Sequence, residues 1–194
     1  GKRNIIFTWV KREYRNLLKA RHSNVSVPTP FAFSNNVLVL EFIGDEGFIA
    51  PKLKDAKPKN PNDFLKKIIE NMKRLHKARF VHADLSAFNI LNYNEKPVFI
   101  DFSQCTTLES SRANEYLERD IKKLEPIVKK KFPRITYTEA LELLETKKKM
   151  KVQWGKDLRT VEEDKLSELY DTPVIVTRYP KIIKAFYMKE DPKD

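Results

Sequence analysis

The 194-residue sequence has a single cysteine, Cys105, and only four glycines and three histidines. One cysteine excludes an intrachain disulfide and fits a reducing compartment, so a cytoplasmic location is expected. No apolar run approaches the roughly 20 residues that a membrane-spanning helix needs. The opening Gly1-Lys2-Arg3-Asn4 does not begin a signal-peptide pattern. The glycines stand at 1, 44, 47 and 155 and form no G-x-G-x-x-G, so this sequence holds no glycine-rich phosphate cradle. Internal repeats and low-complexity segments are also absent.

What is present is charge. Lysine and arginine outnumber the acids 38 to 27, a net charge of +11 that suits a nucleic-acid, phosphate or acidic-surface partner. The basic residues are widely spread, and solvated lysine-rich helix faces account for them equally well. With 41% hydrophobic residues the chain can build a core.

Apolar periodicity predicts a helix over 8–20, through Trp9, Val10, Tyr14, Leu17 and Leu18. Glu13 falls on that same face, four residues from both Trp9 and Leu17. Pro28 and Pro30 then precede a continuous apolar run from Val37 to Ile43, read as a strand buried on both faces. Asn60-Pro61 reads as the cap and first turn of a helix with an apolar stripe of Phe64, Leu65, Ile68, Ile69, Met72 and Leu75. Short strands are expected at 90–91 and 98–100 around a turn at 92–97, then a helix over about 112–124. The texture changes after Pro126. Thr136 with Glu139 forms a capping box for a helix through Leu144. A short helix near 161–169, a strand at 173–177 and a strand-like stretch at 182–188 follow. The boundary near 126 divides the chain into expected domains 1–126 and 127–194.

The chemistry-bearing stretch is V-H-A-D-L-S-A-F-N-I at 81–90, followed by V-F-I-D-F-S-Q at 98–104. Asp84 and Asn89 have the D-x-x-x-x-N spacing of a protein-kinase catalytic loop. An aspartate beside an attacking hydroxyl accepts or orients its proton. Asn89 and Asp101 offer neutral and charged oxygens, which suit Mg2+, a hard cation. The spacing of Asp84 and Asn89 alone is weak, and either residue could serve only a turn. His82 before it and a strand ending in Asp101 after it make the combination specific.

His82-Ala83-Asp84-Leu85-Ser86, Asn89 and Ile100-Asp101-Phe102-Ser103-Gln104 resemble the RIO family of atypical serine/threonine protein kinases, its first branch in particular. Ser86 fits the family's serine where ordinary kinases carry lysine, and I-D-x-S-Q stands for D-F-G. The likeness covers about 8–125 and includes Leu40–Gly44, Ala50-Pro51-Lys52-Leu53 and Leu117–Ile121. Ala87 departs from the acidic residue usual there. The resemblance implies an α+β, protein-kinase-like fold, mainly the larger helical lobe with an incomplete smaller one. It also implies ATP and Mg2+ as cofactors, with Asp84 as catalytic base and Asn89 and Asp101 as metal ligands. Glu41, Ile43 and Pro51 would contact the nucleotide, as would Ser86. Glu13 would pair with the lysine that holds the phosphates. That lysine and the glycine-rich loop precede this helix in the family, so the domain is expected to lack both. Autophosphorylation, ATP hydrolysis and maturation of the small ribosomal subunit are the implied roles, with the pre-ribosomal particle as partner.

The stretches 134–140, Trp154–Leu158, Pro173–Pro180 and Lys184–Met188 are similar to a part of class II asparaginyl- or aspartyl-tRNA synthetases, over about 127–194. Three functions follow: a RIO-type kinase or ATPase, an inactive synthetase fragment, or a non-catalytic kinase-like binding module.

Overall fold

The computed structural model describes residues 2–129 and 131–183, with the side chains of 2–5 left aside. The chain divides into two compact units, 1–130 and 131–194. No described helix is long and apolar enough to cross a membrane.

The first unit opens with α1 (Lys2–His22), which begins six residues earlier than its periodicity predicts. It packs against a hairpin of β1 (Pro30–Ser34) and β2 (Val37–Leu40). The expectation of a strand buried on both faces over 37–43 is corrected here. Val37 and Val39 are about half exposed, because only the other face of this two-stranded ribbon meets α1. Residues 41–43 leave the strand for the segment before β3 (Gly44–Asp45), which pairs with β4 (Phe48–Ile49).

The core helix α2 (Pro61–Lys77) starts as its sequence dictates. Asn60 caps it through an Oδ1 bond from Asp63 N–H at 3.1 Å, and Pro61 occupies the first turn. Phe64, Leu65, Ile68, Met72 and Leu75 are buried, while Ile69 lies at the margin of the stripe. Below it come β5 (Phe80–Val81), β6 (Ile90–Tyr93) and β7 (Lys96–Phe99). β6 and β7 form a hairpin in the register Ile90↔Phe99 to Tyr93↔Lys96. Its two-residue turn, Asn94-Glu95, takes left-handed φ at both positions, as a type I′ turn requires. β8 (Thr106–Thr107) pairs with β5, and α3 (Ala113–Lys122) and α4 (Glu125–Val128) close the unit.

The second unit holds β9 (Arg134–Thr136), α5 (Tyr137–Lys148), α6 (Thr160–Ser167) and β10 (Ile175–Thr177). The capping box forms as expected: Thr136 Oγ1 accepts from Glu139 N–H, and the Glu139 carboxylate accepts from Thr136 N–H. β9 and β10 pair in parallel, and no further strand joins them among the described residues. Tyr137, Ala140, Leu144, Leu158 and Leu166 make the core of this unit. The stretch expected as a strand from Ile182 begins in a 3-10 turn, Lys181–Ile183, and its remainder lies outside the described residues.

Candidate active site

The site is assembled on the loop between β5 and β6. Asp120, on α3 and fully buried, holds this loop from behind. Its two carboxylate oxygens accept the N–H groups of Ala83 (2.9 Å) and Leu85 (3.1 Å). The adjacent Arg119 donates to the Ala83 carbonyl. Ala83 takes a left-handed φ of 67°, which costs a residue with a Cβ about 1 kcal/mol. Bonds to both of its backbone groups hold it there, and the turn presents Asp84 at the surface. Burial pushes the Asp120 carboxyl up to about 6, against the lowering effect of the two N–H bonds.

Both Asp84 oxygens are engaged. Oδ1 lies 2.9 Å from Lys123 Nζ, and Oδ2 accepts from Asn89 Nδ2 at 3.3 Å. The same Nδ2 donates to the Asp84 carbonyl at 2.9 Å. Asn89 is therefore anchored by its nitrogen, and its amide oxygen is the atom suited to a cation. The Ile100 N–H donates to the Asn89 carbonyl at 3.0 Å, so the residue after Ile100, Asp101, sits at the same end of the β6–β7 hairpin. Asp101 is exposed at φ 61°, and its Oδ1 accepts from Ser103 Oγ at 2.6 Å.

His82 is buried beneath this group. Its Nε2 lies 3.1 Å from the Ile100 carbonyl, and its Nδ1 lies 3.4 Å from the Asp84 N–H. An acceptor facing one nitrogen and a donor facing the other assign the neutral Nε2–H tautomer. Burial pushes the imidazole down to about 4, consistent with that form.

From the other side, α1 grips the segment after Asp101. Asn16 Nδ2 donates to the Phe102 carbonyl at 2.8 Å, and Arg12 donates to the Cys105 carbonyl at 2.7 Å. Glu13 accepts from the Phe102 N–H, and its pKa is raised by burial first and by Asp101 second. The lysine partner implied for Glu13 is not found among the described residues.

The remaining expected positions lie along the segment from β2 to Leu53. Glu41 N–H donates to the Thr29 carbonyl at 2.8 Å, and the Glu41 carboxylate accepts Thr29 N–H and Oγ1. Ile43 accepts from Ala50 N–H at 2.9 Å. The Pro51 carbonyl accepts from Asn92 N–H and the Leu53 N–H donates to the Ile90 carbonyl, both at 2.8 Å. Those bonds tie the Pro51 stretch to the hairpin that carries Asn89. Ser86 closes a turn: its Oγ accepts Phe88 N–H at 3.3 Å and its carbonyl accepts Asn89 N–H. Direct bonds thus join Asp84 to Asn89, and Asn89 through Ile100 to Asp101. Ile43 connects to the hairpin through Ala50–Leu53, whereas Glu41 is bonded to Thr29.

Sequence reasoning did not single out Asp120, Lys123, Asn16 or Arg12. Asp120 had a readable signal. It lies in helical register with Ala113, Tyr116, Leu117 and Leu124, a carboxylate inside an apolar stripe just as Glu13 is. Lys123 had none, since one lysine in a lysine-rich helix end looks like a solvated charge.

The RIO domain family model matches residues 1–141. The chain belongs to the RIO domain family. It is 38% identical over 118 residues to the RIO-type serine/threonine-protein kinase Rio1 of Thermoplasma acidophilum, covering 61% of this chain and 62% of that one. It is 41% identical over 121 residues to the Rio1 kinase of Methanocaldococcus jannaschii, covering 62% of this chain and 41% of that one. The chain therefore spans less than two thirds of these RIO kinases. It is also similar to the asparagine–tRNA ligase of Desulforamulus reducens, 52% identical over 80 residues, 41% of this chain and 18% of that enzyme. Among solved structures, the Rio2 kinase of Chaetomium thermophilum matches with a TM-score of 0.58 at 21% identity, over 67% of this chain and 41% of that one. Its ADP/Mg2+-phosphoaspartate complex matches at 0.55 and 18% identity, over 84% and 44%. The RIO domain here has the protein-kinase-like α+β fold.

Proposed function

We propose that this RIO domain binds ATP with Mg2+ and transfers or hydrolyses the γ-phosphate as a serine/threonine kinase or ATPase. One observation carries the reading: Asp84, in the β5–β6 loop, is bonded to Asn89, and Asn89 is bonded to Ile100, the residue before Asp101. Asp84 is the general base that orients and receives the hydroxyl proton of the acceptor or of water. The Asn89 amide oxygen and the Asp101 carboxylate hold Mg2+. Two hard oxygen donors beside substrate phosphates are what that ion commonly takes, and His/Cys ligands are not required. The bound ion supplies charge neutralisation for the phosphates. Backbone groups of Glu41 and Ile43 would receive the adenine, and Pro51 and Ser86 would contact the nucleotide. Glu13 and Asn16 keep the Asp101 segment in register by holding both backbone groups of Phe102. A cytoplasmic role in small-ribosomal-subunit maturation, with rRNA or ribosomal proteins as partners, is part of the same proposal. The test is Mg-ATP turnover by the purified chain and by Asp84→Asn. The wild type should turn over ATP and the variant should lose at least about a hundredfold. Equal rates would remove Asp84 from the mechanism.

Two other readings have assays of their own. The 52% identity to an asparagine–tRNA ligase favours a synthetase fragment, for which asparagine-dependent pyrophosphate exchange is the measure. No exchange is expected. A kinase-like binding module without catalysis would have no calorimetric binding of Mg-ATP as its signature.

A further inference from the structure

The loop between β5 and β6 carries an exposed aromatic side chain, Phe88, which directly precedes Asn89 and is 57% exposed. Its backbone is fixed from both sides. The Ser86 hydroxyl accepts the Phe88 N–H at 3.3 Å, and Asn89 is held by the Ser86 carbonyl and by Asp84. A second loop closes on the ring. Lys54 N–H donates to the Ala87 carbonyl at 3.0 Å, and Lys54 Nζ lies 4.9 Å from the centre of the Phe88 ring. The neighbouring Leu53 N–H bonds to the Ile90 carbonyl, so contacts within the first unit set where ring and ammonium stand. Residues 52–59 bring four exposed lysines, Lys52, Lys54, Lys57 and Lys59, against one acid, Asp55, which lies 3.5 Å from Lys54. The surface beside Phe88 is therefore positive. Phe88 is four residues from Asp84, at most about 14 Å along the chain. A polypeptide that brings a hydroxyl to Asp84 lays the residues within about four positions of that hydroxyl across this ring and these lysines. A single ring with an ammonium already against it suits an apolar side chain better than successive stacked bases.

We propose that Phe88 and Lys54 form an acceptor-side subsite, which selects a serine or threonine flanked within about four residues by an apolar and an acidic side chain. The inference rests on the phosphoryl-transfer reading above and names its substrate class. Both residues set where the acceptor lies, and neither enters the transfer step.

Two fluorescein-labelled peptides of about nine residues test it, each with one central serine flanked by leucine and by either glutamate or lysine. By fluorescence anisotropy, the full chain should bind the glutamate peptide at least about tenfold more tightly than the lysine peptide. Phe88→Ala should weaken binding of the glutamate peptide by about tenfold. Lys54→Glu should reverse the charge preference. Lys77→Glu, an equal charge change about 24 Å along α2 from Pro61, should leave the preference as it is. With Mg-ATP present, Phe88→Ala should raise the peptide KM by a similar factor and keep acceptor-free ATP hydrolysis at the wild-type rate. Absence of transfer with this binding pattern intact counts against the kinase reading and supports the subsite as a peptide site. Four results overturn the proposal: equal binding of the two peptides by the wild type, unchanged binding in Phe88→Ala, an effect of Lys77→Glu as large as that of Lys54→Glu, or an oligouridylate that binds more tightly than the glutamate peptide and depends on the same two residues.

Discussion

Lys123 is the cation that Asp84 meets, and it arrives from the end of α3 rather than from the β5–β6 loop, where Ser86 stands. Both members of the pair are more than a third exposed, so the bond adds little to stability, at most about 1 kcal/mol. Its value would be positional, setting the carboxylate and placing a positive charge beside the transferred phosphoryl group. Lys123→Met should therefore lower ATP turnover by about tenfold or more with a nearly unchanged melting temperature, and Lys123→Arg should recover part of the loss. Unchanged turnover in Lys123→Met would reduce the pair to a surface contact. His82 and Asp120 act on the fold instead, and with opposite signs. The buried His82 stays neutral down to about pH 4, whereas the unfolded chain protonates near 6.5. Its contribution is complete above pH 6.5 and is lost as the pH falls towards 4, by roughly 1.4 kcal/mol per unit. Asp120, raised to about 6, takes up its proton earlier in the folded state than in the unfolded one. Its ionisation costs stability as the pH rises from about 4 to 6. Going from pH 7 to 4.5, His82→Phe should gain on wild type in denaturant melts, while Asp120→Asn should fall further behind. Parallel pH profiles for all three proteins would contradict both assignments.

Among the elements, α1 has the unusual role of joining a helix to the segment after Asp101 through side chains on one face. Asn16 is nearly buried, and its amide satisfies the carbonyl of the fully buried Phe102. Asn16→Ala leaves that carbonyl without its partner, a loss of about 1–3 kcal/mol by thermal or denaturant unfolding. It should also raise the Mg2+ concentration needed for half-maximal turnover, because Asp101 directly precedes the released residue. A drop in stability with an unchanged Mg2+ requirement would leave Asn16 purely structural. How far the elements were legible follows from how local their causes are. The starts of α2 and α5 are specified within four residues, by Asn60-Pro61 and by Thr136 with Glu139, and both appear as read. The β6–β7 hairpin departs from its expected turn over 92–97: pairing of Asn92 with Pro97 and of Tyr93 with Lys96 extends both strands and leaves only Asn94-Glu95 as the turn. The run 37–43 misleads because apolar content sets how much surface seeks cover, while the number of elements packed on it is a tertiary fact. β1 carries no strand signal of its own between Pro30 and Ser34 and exists through its pairing with β2. At the candidate site, the grouping of Asp84, Asn89 and Asp101 could be expected from spacing and type. Lys123 and Arg12 could not, since their partners lie 39 and 93 residues away.

For the whole molecule, the question is whether the two units stand as separate cooperative bodies. The second unit has a core of its own around the fully buried Tyr137, Leu144 and Leu166. The first has another, around Phe64, Ile68 and Phe99. The family model runs through residue 141, past the division at 130–131 and into α5. Family membership and compactness therefore divide the chain at different places. One tryptophan lies in each unit: Trp9 on α1, and Trp154 in edge contact with Tyr137 at 6.4 Å between ring centres. Trp154→Phe makes fluorescence report the first unit, and Trp9→Phe makes it report the second. If each core is cooperative by itself, the two proteins should unfold in urea at different midpoints. Tyr137→Ala removes a fully buried aromatic ring, a loss of about 3–5 kcal/mol. It should shift the Trp154 transition strongly and leave the Trp9 transition in place. Coincident midpoints that move together in Tyr137→Ala would instead make the chain one cooperative unit, and α5 would then belong to the RIO domain energetically as well as by sequence.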